Sequence, residues 1–287
     1  MSVQQIVNSW RDRGASLQVP NANTRIWREG EGEPVVCLHG VPASAFIYRK
    51  VLPALAARGM QGIALDFPGL GFADRPEQFD YSWSGLASWT VDALDAAEID
   101  GFHLVVHDIG GPVGFDVIRR IPERVRSLTV LNTIGRVASF RRLLVMEPFA
   151  HRGIGWFWLQ GMRTPMIIAL LRTVGMHDGP TNDELRAYGA LLFRKDGGRA
   201  FLKIMRSFER TDAFEAAIVT ALNNLTVPAQ VIWCAQDPAL KMKQYAPPIC
   251  EILGLPDWHR VRGKHFLQED SPNEIAEHIA NLVAPTI

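Results

Sequence analysis

The sequence predicts an α/β fold, with a mostly parallel central sheet covered by helices on both faces, and three observations predict it. Short apolar runs rich in Val, Ile and Leu recur along the 287 residues, helix-like segments separate them, and each run ends in a Gly-bearing turn or a loop. A continuous apolar run reads as a strand buried on both faces, and parallel strands need crossover connections, usually helical.

The elements follow in order. Val35 to Leu38 is the first run, and a helical stretch from Ala43 to Arg58 follows it. Gly62 to Leu65 leads through a loop to a helix near Ser84 to Ala97. Phe102 to His107 runs into a helix over Gly111 to Arg120, and Leu128 to Leu131 forms the next strand. The pattern then breaks. From about Arg136 to Phe214 strand-like alternation is missing, and aromatics, Met and Leu recur at helical spacing, which reads as a helical insertion. Gln230 to Cys234 and His259 to Val261 resume the sheet, and Pro272 to Val283 closes it as an amphipathic helix. The expected division is a core of residues 1–135 and 215–287 with an insertion of 136–214.

Charge and composition narrow the function. Lys plus Arg and Asp plus Glu both number 30, so no net field draws in nucleic acid or an acidic membrane. Two of the three cysteines, Cys37 and Cys234, sit inside apolar runs, which argues against a disulfide framework and for a reducing compartment. The opening MSVQQIVNSWRDRG lacks the basic-then-apolar pattern of a secretory signal, so a cytoplasmic location is expected. The most apolar stretch, Phe157 to Met176, is interrupted by Arg163, Pro165 and Arg172 and falls short of a membrane span.

Sheets of this kind carry ligands beyond the carboxyl ends of their strands. The residues there are His39-Gly40-Val41-Pro42, His107-Asp108-Ile109-Gly110-Gly111, Asp237-Pro238 and His265. Asp108 stands between a strand and a helix among small residues that permit a sharp turn, the place of a nucleophile elbow. Taken alone, Asp108 would serve as a helix cap, Asp237 as a turn opener and His265 as a surface residue. Together they occur in the chain order nucleophile, acid, histidine, which favours a catalytic triad. The main-chain N–H groups of Val41 and Ile109 are the candidate oxyanion hole. The G-x-S-x-G pattern is absent, which disfavours a serine esterase.

The segment from His265 to Pro272, the elbow at His107 to Gly111 and the opening His39-Gly40-Val41-Pro42 resemble those of the haloalkane dehalogenases. Asp66-Phe67-Pro68-Gly69-Leu70-Gly71 and Ala73-Asp74-Arg75-Pro76 are similar to a loop that family shares with epoxide hydrolases. The resemblance covers roughly residues 25–135 and 220–285. It implies an α/β-hydrolase fold with a helical cap inserted after the sixth strand, and a reaction in two steps. Asp108 attacks a saturated carbon to form an alkyl ester, and His265, oriented by Asp237, activates the water that hydrolyses it. No metal or organic cofactor is implied, and the partners are a small apolar organic substrate and water.

Relatives hold the departing halide with a Trp after the nucleophile and either an Asn in the His-Gly-x-Pro segment or a cap Trp, whereas this chain has Ile109 and Val41 at the first two places. Trp156 and Trp158 are the remaining candidates for the leaving-group site, with packing inside the cap as their alternative role. An epoxide hydrolase is the second reading. It would need ring-opening donors: the insertion offers only Tyr188, Tyr245 lies beyond it in the returning core, so the usual tyrosine pair is not apparent, and His151 and His177 are the histidines that could substitute. A binding protein on a degenerate hydrolase fold is the third, and would have no need of the triad.

Overall fold

The computed structural model describes residues 1–162, 165–177 and 179–284, so Arg163 of the interrupted apolar stretch lies outside the described residues. The chain opens with helix α1 (Val3–Arg13), where Ser2 and Gln5 form a capping box. Strands β1 (Ala15–Leu17), β2 (Thr24–Glu29) and β3 (Pro34–Leu38) follow. Next come α2 (Val51–Ala56), β4 (Gln61–Leu65), α3 (Trp83–Ala96), β5 (Phe102–Asp108), α4 (Gly110–Arg120) and β6 (Val125–Thr133). The eight strands of the finished sheet lie in the order β1-β2-β4-β3-β5-β6-β7-β8, with β7 at Ala229–Cys234 and β8 at His259–Val261. Pairing is antiparallel at β1–β2 and β2–β4 and parallel elsewhere.

Each run identified in the sequence is a strand: β3 to β7 are covered on both faces and their side chains are almost all buried, whereas β8 at the sheet edge buries only Val261. Two strands carry no such run. β1 is short and exposed, and β2 has only Ile26 and Trp27 as apolar residues, set between Arg25 and Arg28, so it shows no apolar run. The helix expected over Ala43–Arg58 is broken instead into a single turn at Ala45–Tyr48 and the short α2. Hydrogen bonds pull that turn toward the sheet: the Ala45 N–H donates to Asp66 Oδ1 at 2.7 Å, and Tyr48 Oη donates to the Leu38 carbonyl at 3.0 Å.

Between β6 and β7 every regular element is helical among the described residues. They are a 3-10 turn at Glu147–Ala150, α5 (Ile154–Gly161), α6 (Met166–Leu170), a single π turn at Leu171–Gly175, α7 (Asn182–Leu192), α8 (Arg199–Arg206) and α9 (Asp212–Asn223). α9 packs against α4, so it covers the sheet, and α7 rests on α1. The chain ends with α10 (Met242–Leu253), the short α11 (Leu267–Asp270) and α12 (Pro272–Val283). No helix among the described residues is long and apolar enough to cross a membrane.

Candidate active site

β5 ends at Asp108, whose φ of +52° lies in the left-handed region that a non-glycine residue adopts only where its surroundings impose it. Those surroundings are tight. A Cβ on Gly110 would come within 2.5 Å of the Leu38 carbonyl oxygen, so the turn into α4 passes too close to β3 for any side chain. A Cβ on Gly40 would fall 2.2 Å from Asp108 Oδ1. The close approach lets the Val41 N–H donate to Asp108 Oδ1 at 2.7 Å. Thr133 Oγ1 in turn donates to the Asp108 carbonyl. Ile109 is the N-cap residue of α4, at the helix end where main-chain N–H groups lack an intrahelical acceptor.

His265 reaches the elbow from the loop after β8. Its Nε2 lies 3.5 Å from Asp108 Oδ2 and its Nδ1 lies 2.9 Å from Asp237 Oδ2. The loop is fixed from both sides: the His265 N–H donates to the Val174 carbonyl at 3.2 Å, and His107 Nε2 meets the His265 carbonyl oxygen at 2.8 Å. Asp237 follows β7, and its Oδ1 accepts from the N–H groups of Ala239 and Leu240 at 2.7 and 2.9 Å. Its Oδ2 also accepts from Asn132 Nδ2 at 2.9 Å, while Asn132 Oδ1 accepts from the Cys234 N–H at 3.1 Å. Asn132 therefore ties β6 to β7 under the acid. It stands at a strand end as the other site residues do, but no motif marks it in the sequence.

Burial alone would lower the pKa of His265, but the Asp237 charge, hydrogen bonds to Asp108 and Asp237 and the Asp108 charge outweigh it and push the value up to about 10. For Asp108 burial would raise the pKa, yet the His265 hydrogen bond and charge, the His107 charge and the Val41 N–H hold it below the ordinary carboxylate value. The two shifts describe one coupled pair, with the carboxylate and imidazolium stabilising each other. His39 and His107 behave oppositely: burial takes both down to about 4, so they are neutral hydrogen-bonding spacers.

A cavity of about 80 Å³ opens over these groups, walled by Val41, Ile109 and Phe266 from the core and by Phe140, Leu143 and Met146 from the insertion, among others. Asp108, His265 and Arg142 are its only ionisable lining residues among those described. Trp156 and Trp158 are not in its wall, which corrects the sequence expectation. α5 turns Gly155 and Leu159 inward, leaving Phe157 77% and Trp158 39% exposed. The Trp158 indole N–H donates to the Val145 carbonyl at 3.0 Å, and Trp156 stacks under Arg199 at 4.6 Å. The ring-opening candidates also lie elsewhere. Tyr188 is buried with its hydroxyl on Glu269, Tyr245 packs on Phe140 at 6.4 Å, His151 is exposed, and His177 pairs with Gln236.

Comparison with known proteins agrees with this architecture. The family described as alpha/beta hydrolase fold matches residues 33–162. The haloalkane dehalogenase of Psychrobacter cryohalolentis is 26% identical over 269 residues, which cover 88% of this chain and 84% of that protein. Among solved structures, haloalkane dehalogenase DbeA from Bradyrhizobium elkani superposes with a TM-score of 0.79 at 21% identity, covering 95% of this chain and 99% of that one. A putative epoxide hydrolase (Q244E mutant) from Pseudomonas aeruginosa gives a TM-score of 0.77 at 20% identity, covering 94% of each chain. The chain has the α/β-hydrolase fold. Within that fold it resembles the branch that holds haloalkane dehalogenases and epoxide hydrolases.

Proposed function

We propose that this chain is a hydrolase that displaces a leaving group from saturated carbon through an ester on Asp108, in the manner of a haloalkane dehalogenase, releasing halide and forming an alcohol. One observation carries the reading: a carboxylate, not a hydroxyl, occupies the left-handed turn, with Val41 N–H at 2.7 Å on one oxygen and His265 Nε2 at 3.5 Å from the other. Such a carboxylate is ionised at neutral pH and needs no base to attack carbon. Ester formation removes the Asp108 charge, and with it the hydrogen bond and Coulomb attraction that Asp108 gives His265. The His265 pKa then falls, and the imidazole becomes free to take a proton from water while Asp237 holds its Nδ1–H. The N–H groups of Val41 and Ile109 stabilise the oxyanion as that water attacks the ester carbonyl.

The insertion, residues 136–214, acts as a cap that excludes water. The small apolar cavity suits a small organic substrate, with no role for nucleic acid or membrane, and the three buried free cysteines fit the cytoplasm. Dehalogenation ranks above epoxide opening because no tyrosine lines the cavity among the described residues.

Trapping the ester tests the reading. A His265→Phe variant keeps the first step and loses the second, so intact-mass measurement with a bromoalkane should show the protein gaining the alkyl group without bromine, mapped to Asp108. An epoxide would add its whole mass as a hydroxyalkyl ester. A wild-type substrate that leaves no adduct on this variant, together with normal turnover by Asp108→Ala, would rule out the covalent aspartate.

A further inference from the structure

The cavity over Asp108 contains a charged group to which the hydrolysis above gives no task. Arg142 lines that cavity from the insertion, and its side chain is only 4% exposed. Nη2 donates to the Met205 carbonyl at 2.6 Å, while Nε and Nη1 are buried and have no hydrogen-bond acceptor among the described residues. The Glu147 carboxylate stands 3.8 Å from Nη1, too far for a hydrogen bond, and is 43% exposed. The guanidinium rests on the Phe208 ring at 4.6 Å from its centroid, which holds the group in place. Burial and the neighbouring Arg210 charge both lower its pKa, with Glu147 opposing. A guanidinium does not give up its proton inside a protein, and a buried cation with unmet donors is costly. The rest of the described wall, Asp108 and His265 aside, is apolar, and both candidate indoles are turned away.

We propose that Arg142 is the anion-holding residue of this cavity, its guanidinium taking a monovalent anion. The anion comes either from the leaving group as it departs or from a carboxylate carried by the substrate. The first source rests on the covalent-aspartate reading. In that displacement a lone pair of an Asp108 oxygen forms the new C–O bond, the C–X pair leaves with X as X⁻, and Arg142 receives X⁻. Water then attacks the ester carbonyl, His265 takes its proton, and the alcohol leaves as the Asp108 carboxylate is restored. The sum is R–X + H2O → R–OH + H⁺ + X⁻. Arg142 thereby fills the role the sequence had assigned to Trp156 or Trp158.

Calorimetric titration of bromide and, separately, hexanoate into the resting enzyme tests this without turnover. Wild-type protein should bind at least one of them. Arg142→Met should weaken that binding about tenfold or more, as loss of charge-assisted hydrogen bonds implies. Arg142→Lys, which keeps the charge on a different geometry, should fall between, and Arg199→Met, whose guanidinium lies over Trp156 outside the cavity, should bind as wild type. Bromide binding lost in Arg142→Met assigns the leaving group, and hexanoate binding alone assigns a carboxylate on the substrate. Wild-type protein that binds neither anion, or Arg142→Met and Arg142→Lys variants that melt like wild type and bind as tightly, would overturn the assignment. Anion binding with no adduct on Asp108 would count against the covalent mechanism and leave the Arg142 site standing.

Discussion

At the scale of single residues, the site depends on a contact that leaves no room for even a methyl group. Gly40 passes so close to the elbow that a Cβ would fall 2.2 Å from both Cβ and Oδ1 of Asp108. Gly40→Ala should therefore push the carboxylate off the Val41 N–H, and a misplacement of about 1 Å costs roughly 10²-fold in rate. Turnover measured beside a thermal melt checks it: the variant should stay folded and lose activity, and wild-type kcat/KM would show that the carboxylate is not held there. Asp108, Asp237 and His265 were legible in the sequence because each follows a strand and their chain order is constrained by the fold. Arg142 and Asn132 were not. Arg142 belongs to an irregular stretch whose course no periodicity fixes, and Asn132 acts through a hydrogen bond to a residue 105 positions away. The tryptophans misled because spacing from Asp108 gives a distance along the chain, whereas the orientation of α5 decides which side chains face the cavity. With Trp156, Phe157, Trp158 and Leu159 in succession, hydrophobicity marks no single face.

At the scale of elements, the insertion is joined to the catalytic loop by main-chain bonds and by a buried ion cluster. The N–H groups of His265 and Phe266 donate to the carbonyls of Val174 and Gly175 in the π turn, so the insertion helps set the imidazole. A few residues on, the fully buried Glu269 carboxylate pairs with Arg49, lies 3.0 Å from Lys50 Nζ, and accepts from Tyr188 of α7. Arg49 reaches Glu184 of the same helix at 2.8 Å. Burial would raise the Glu184 pKa, but Arg49 and Thr181 bring it down to about 2, so this arm of the cluster stays charged across the working range. Removing one partner of a buried pair leaves the other uncompensated and costs about 3–5 kcal/mol. Glu269→Gln keeps the shape and one acceptor, so about half of that cost is expected, with faster amide exchange across the π turn and α7. A urea midpoint and exchange pattern equal to wild type would mean that the cluster does not hold the insertion down. None of this docking could be read from the sequence, since partners such as Arg49 and Glu269 lie 220 residues apart. The elements themselves were readable wherever burial is two-sided. β2 has only Ile26 and Trp27 as apolar residues, and α10 contains Pro247 and Pro248, so neither presents the pattern that marks a buried strand or an uninterrupted helix.

At the scale of the whole molecule, one coupled pair makes stability and turnover respond to pH in opposite directions. His265 has its pKa raised from the ordinary 6.5 to about 10 in the resting enzyme, chiefly because the carboxylates of Asp237 and Asp108 outweigh the effect of burial. The folded state therefore holds a proton that the unfolded chain releases above pH 6.5, and by linkage that proton stabilises the fold. The contribution is complete below 6.5 and is lost as pH rises toward about 10. Asp108 has its folded pKa lowered, so its share is lost on acidification below the ordinary 3.8, and the pair counts once. In the mechanism proposed above turnover runs the other way, because the ester no longer carries the Asp108 charge and its hydrolysis requires neutral His265. Across pH 6.5 to 10 the rate of the second step should climb while the melting temperature falls. Asp108→Asn removes one of the two carboxylates and should flatten the alkaline fall, leaving the part due to Asp237; His265→Phe should abolish the whole of it. Melting temperatures of the three proteins at several pH values, set beside single-turnover rates of the wild type, separate the two effects. A wild-type melting temperature that rises between pH 6.5 and 10 relative to His265→Phe would mean that the resting imidazole is neutral and that ester formation does not switch its basicity.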